Sequence, residues 1–87
     1  MKITTESGSR YEIDDRKICR KFNSHGSVID SFKVFFMKAV PTTVTNLGDV
    51  WDHPNRDPEV GMLLYIGGKD GWWLSTKVTS IEGSFDD

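Results

Sequence analysis

"VIDSFKVFFMKAV", residues 28–40, fits two periodicities at once, and the choice between them separates an all-β chain from an α+β one. Val28, Phe32, Phe35 and Ala39 recur at helical spacing, and Ile29, Phe36 and Val40 widen that stripe. Phe32, Val34 and Phe36 alternate as a strand would. The segment is rich in Phe and Val, with one alanine and no leucine, so propensity favours strand. Pro41 ends either element, because it lacks the backbone donor that would continue it.

The flanking sequence is written in short β segments. "KITT" and "RYEID" are separated by the turn-forming "ESGS", which predicts a hairpin with Ile3, Tyr11 and Ile13 on its inner face. Asp14 and Asp15 make a polar turn into a third strand, "KICRKF". There Ile18, Arg20 and Phe22 share one face and Lys17, Cys19 and Lys21 the other, so hydrophobic pattern specifies its register only in part. "NSHGS", residues 23–27, is a turn.

After Pro41, Gly48, Pro54 and Pro58 break up any long element before Glu59. That loop leaves room for a short β piece at Thr42 to Thr45, and Val50 and Trp51 are expected to pin it to the core. "VGMLLYIGG" reads as a buried strand, "KDG" as its turn and "WWLSTKVTSIE" as an antiparallel partner. The tail, residues 83–87, is expected to fray.

Short strands at close intervals with glycine-rich turns predict an all-β fold, specifically a small antiparallel barrel or roll of SH3-like form. A helix at 28–40 would instead give a β-rich α+β domain with that helix covering one sheet face. The 87 residues make a single domain, expected to bury about 60 to 65 % of its unfolded surface.

Four pieces, "SGSRYEID", "RKICR", "EVGMLLYI" and "WLSTKVTSIE", together resemble small uncharacterised β-rich proteins of actinobacteria and their bacteriophages. The resemblance covers about half of the chain and rests on structural motifs. It implies a small β domain and a phage or prophage setting, transfers no catalytic residue, and does not extend to "SFKVFFMKAVP".

Composition narrows the chemistry. Cys19 is the only cysteine, which removes intramolecular disulfides and cysteine-based zinc cages. No secretory signal pattern opens the sequence and no run of about 18 apolar residues occurs, so a soluble, cytoplasmic protein without membrane association is expected. His25 and His53 lie in separate turns without metal-ligand spacing. The acidic loop around Asp49, Asp52, Asp57 and Glu59 lacks the ligand pattern of a calcium loop, so neither metal nor cofactor is expected. "GGKDG" is not a phosphate-binding loop, since Lys69 is followed by Asp70, a turn and a strand. With no nucleophile motif in the chain, a noncatalytic protein is expected, with Cys19 an inert thiol rather than one activated by Lys17 and Lys21.

Charge divides unevenly. Residues 1–40 carry eight Lys or Arg against five Asp or Glu, while residues 41–87 carry three against eight. The overall balance of -2 argues against a generally basic nucleic-acid binder.

Recognition is the remaining function class. By alternation, Trp72, Leu74, Thr76 and Val78 form the apolar face of the last strand and Trp73, Ser75, Lys77 and Thr79 the polar one. Trp72 is therefore predicted in the core, and Leu63, Tyr65, Trp73 and Lys77 as an exposed surface for a protein partner or a second copy of the chain. The other reading has loop 41–59, with Trp51, folding over that face. Ile81 falls on the polar face unless a bulge near Thr79 or Ser80 returns it to the core. The alternative function is a small nucleic-acid-binding barrel with Arg16, Lys17, Arg20 and Lys21 on phosphates and exposed aromatics on bases.

Overall fold

A computed structural model describes residues 1–69 and 71–83; residues 84–87 of the expected frayed tail lie outside the described residues. Strands β1 (Lys2–Thr5), β2 (Arg10–Ile13), β3 (Ile18–Phe22), β4 (Val28–Lys33) and β8 (Val78–Glu82) form one antiparallel sheet in the order β4-β3-β2-β1-β8. Strands β5 (Phe36–Val40), β6 (Leu63–Gly68) and β7 (Gly71–Leu74) form a second, with β6 in the middle. One short helix, α1 (Leu47–Val50), interrupts the long loop. The fold is the β-rich antiparallel class expected, but its two sheets do not close into a barrel.

The segment 28–40 is β, though not as one strand. Val34 N–H donates to Lys17 O at 2.8 Å, whereas Phe35 N–H donates to Gly67 O at 2.8 Å. Consecutive residues thus bond to different sheets, and the chain turns a corner between them. Val34 stays in the core at 4 % exposure while Phe35 points out at 60 %. The corner also explains the sequence ambiguity: two strands of different sheets, read as one string, break strict alternation and counterfeit a helical stripe.

The predicted first hairpin forms with Ile3 opposite Tyr11. Two Asx turns set the next connections, Asp14 Oδ1 accepting from Arg16 N–H and Ile18 N–H, and Asn23 Oδ1 accepting from His25 N–H and Ser27 N–H. At the other end, "WWLSTKVTSIE" also divides. Ser75 N–H donates to Leu64 O, and Val78 N–H to Met62 O, so the chain leaves the small sheet after Leu74 and enters the large one at Val78. Thr4 pairs with Ser80 and Thr5 with Val78, which leaves Thr79 as the extra residue of a bulge. Ile81, partly buried, accordingly packs against the core, the outcome that a bulge near Thr79 or Ser80 left open in the sequence.

Two hydrophobic clusters result. Ile3, Tyr11, Ile13, Cys19, Val34, Leu64, Ile66 and Val78 pack between the sheets. Val40, Val44, Val50 and Tyr65 pack on the opposite side of the small sheet, beneath the 41–59 loop. That loop contains no strand at Thr42 to Thr45; Asn46 caps α1 by accepting from Asp49 N–H, and the helix delivers Val50 into the second cluster at 0 % exposure. β6 is consequently apolar on both faces because both are covered.

Candidate functional site: an aromatic platform on the small sheet

The β6–β7 register places Ile66 opposite Trp73 and Gly67 opposite Trp72. Trp73 therefore shares the inner face with Ile66, and Trp72 the outer face with Tyr65 and Leu74. This reverses the sequence assignment. Trp73 packs against the main core, stacks on Tyr11 at 6.2 Å between centroids, meets Phe32 edge-on at 4.7 Å, and donates from Nε1 to the Tyr11 hydroxyl at 3.0 Å. Trp72 remains 45 % exposed. The physical reason is the strand break: Thr76 and Val78 do not belong to Trp72's strand, so counting them made the wrong face look like the core.

The other predicted contact residues are also redistributed. Tyr65 is fully buried at 0 % exposure under the loop, and Leu63 is half-buried beside it, so neither offers the exposed surface expected. Lys77 lies in the crossover between sheets, 3.8 Å from Glu6. Leu63 and Tyr65 share the outer face of the small sheet, but Trp73 and Lys77 do not join them.

What gathers on that outer face is a set of four rings. Tyr65 sits at the centre, 5.3 Å from Phe36, 5.6 Å from Trp51 and 5.4 Å from Trp72, and Phe36 also lies 5.5 Å from Trp51. Trp51, at 55 % exposure, and Trp72 are the solvent-facing members. Gly67 makes this arrangement fit: Phe36 is its cross-strand partner, and a Cβ at Gly67 would fall within the Phe36 ring. Lys38, itself buried, donates from Nζ to His53 O at 3.0 Å and lies 4.9 Å from the Trp51 ring centre, tying the loop down.

The buried Tyr65 hydroxyl has no hydrogen-bond partner among the described residues, and burial pushes its ionisation above the ordinary tyrosine value. Around Trp51 the loop carries Asp49, Asp52, Asp57 and Glu59 against Arg56, which is held by Glu59 at 2.7 Å. The platform is aromatic at its centre and acidic at one margin.

The basic residues proposed for phosphate contacts point in different directions. Arg20 faces out and lies 3.7 Å from Glu12, which also draws Lys2 and Arg10. Lys21 faces in, its ammonium 4.9 Å from the Trp73 ring centre and 5.7 Å from that of Tyr11. Arg16 and Lys17 occupy the turn before β3, with Lys17 in the left-handed region at φ 63°. Arg20 and Lys21 are thus on opposite faces of one strand, and the aromatic platform is on another sheet.

Cys19 is fully buried, and its thiol is pushed up to about 12 by desolvation, with the Asp30 carboxylate adding to the rise and Lys21 opposing it. Such a thiol is a core hydrophobe rather than a nucleophile. Among the described residues no group of three or more His, Cys, Asp and Glu is placed to hold a metal ion. No helix among them is long and apolar enough to cross a membrane.

Sequence reading missed Phe36 and Trp72 as platform members and named Trp51 only as a loop anchor. Hairpin register carried the missing signal. A two-residue connection between Gly68 and Gly71 pairs Trp73 with Ile66, and hence with the inner side of the apolar strand. No family model, curated protein or solved structure matches this chain.

Proposed function

We propose that the protein is a noncatalytic protein-interaction module that engages its partner through the outer face of the small sheet. The observation supporting this is the exposure of Trp51 and Trp72 on either side of Tyr65, whose hydroxyl is buried without a partner among the described residues. Exposed, rigid aromatic rings anchored from below are what interface hot spots are made of. The acidic loop favours a partner whose contact surface is apolar at its centre and basic at its edge. The phage or prophage setting implied by the sequence resemblance is part of the same proposal.

The test is capture of partners from the native host by the parent chain and by a Trp51→Ala/Trp72→Ala double variant. Circular dichroism should first show that both are folded. Loss of specific captured proteins from the variant, followed by tight binding of the purified partner to the parent only, supports the reading. Retention of every partner by the folded variant overturns it.

A further inference from the structure

Each sheet has two edges, and the structure disposes of three of the four. The edge of β8 is taken at its start, where Val78 N–H donates to Met62 O and Val78 O accepts from Gly61 N–H. The edge of β5 is covered by the loop, Arg56 N–H donating to Met37 O at 3.3 Å. The edge of β4 is protected by chemistry. Ile29 is an extra residue opposite the Lys21/Phe22 step, Asp30 Oδ1 accepts from the adjacent Ser31 N–H at 2.8 Å, and Asp30 and Lys33 add charge. Bulges and charges of this kind are how proteins prevent edge pairing.

β7 has none of these devices. Ser75 N–H donates to Leu64 O, so by the alternation of an antiparallel ladder Trp73 and Gly71 also turn their backbone groups towards β6. Trp72 and Leu74 turn theirs away, and among the described residues no backbone group bonds to them, although Asp30, Ser31 and Phe32 of β4 line the groove beside Gly71 and Trp72. The strand "GWWL" is without charge, proline or bulge, and carries the exposed Trp72.

We infer that β7 pairs with β7 of a second copy of this chain, antiparallel about a two-fold axis at Trp73. In that register Trp72 of each copy faces Leu74 of the other. Both outward N–H groups and both outward carbonyls of each copy are then satisfied by the other, and the two small sheets become one of six strands. Each exposed Trp72 ring comes to lie against a Leu74 side chain on the outer face. No like charges oppose one another along the four-residue strand.

Contact area sets the strength. Stable dimers bury about 1,200 to 2,000 Å² in total, and two four-residue edges with one tryptophan each provide less. The association is therefore weak and concentration-dependent. It shares Trp72 with the platform reading but is carried by main-chain groups of β7, so a variant at Trp51 separates the two.

Sedimentation equilibrium of the full chain from about 1 μM to about 1 mM should show the mass rising from monomer to dimer. Hydrogen exchange over the same range should show the Trp72 and Leu74 amides slowing by at least about tenfold, while the Trp73 amide, already bonded to β6, changes little. Leu74→Pro removes an outward N–H, together with a side chain that packs on the second cluster, and should stay monomeric throughout; Trp72→Lys, which places a charge on the edge, should do the same if the proline variant does not fold. Trp51→Ala should still dimerise. A monomer at about 1 mM, or a dimer that survives Leu74→Pro or Trp72→Lys, overturns the inference.

Discussion

The indole nitrogen of Trp73 donates a 3.0 Å hydrogen bond to the hydroxyl of Tyr11, joining the small sheet to the large one across 62 residues of sequence. The stacked pair also carries the Lys21 ammonium over its rings. This contact is a polar fastening within the mainly apolar layer between the two sheets.

Removing it should cost far more than removing the neighbouring ring. Trp73→Ala is expected to lose about 3 to 5 kcal/mol, a large share of the stability of a domain of this size. Tyr11→Phe strands the indole donor and should cost about 1 to 3 kcal/mol. Trp72→Ala, with much of its ring already in water, should cost about 1 kcal/mol or less. Urea unfolding followed by circular dichroism orders the three.

Gly67→Ala tests the close approach of Phe36. The added methyl would occupy the space of the ring, so Phe36 must leave Gly67 and disturb Trp51 and Tyr65. A loss of about 1 to 3 kcal/mol is expected, together with a red-shifted tryptophan emission as Trp51 loses its neighbours.

Lys38→Met should loosen the loop without unfolding the sheets. It removes the bond to His53 O and the cation over Trp51, at a local cost of about 1 to 3 kcal/mol. Hydrogen exchange should accelerate at the Asp52, His53 and Arg56 amides and stay slow in β1 and β2.

Cys19 gives a pH signature with a defined sign. Its thiol is held near 12 in the folded chain against an ordinary value of 9.0, so above about pH 9 the unfolded state releases a proton that the folded state keeps. The unfolded state then binds fewer protons, and stability falls as pH rises from about 9 to about 12. Cys19→Ala should flatten that part of the profile. Native protein at pH 8 should also resist maleimide labelling until urea exposes the thiol.

Much of the architecture was legible before folding was considered. Ser-Gly-Ser, Asp14 and Asn23 specified turns through their own side chains or backbone freedom, and Ile3, Tyr11 and Ile13 announced a buried face by alternation. The same counting marked Ile81 as misplaced and named a bulge near Thr79 or Ser80 as the remedy that the structure shows at Thr79. The candidate site was less accessible. Tyr65 and Leu63 were correctly placed together, but whether they met water depended on Val44, Val50 and Trp51, which reach them from a loop with no periodic pattern of its own.

Local chemistry therefore settled the β-rich class, the turns and the inward residues of the first hairpin, because each depends on neighbours within a few positions. Packing settled the rest. The corner at Val34 and Phe35 and the crossover after Leu74 divide two apparent strands between sheets, and no local propensity records that division. Which of Trp72 and Trp73 faces the core follows from their pairing with Gly67 and Ile66. That pairing, together with the loop closing over the second face, belongs to the assembled sheets rather than to the order of residues in either strand.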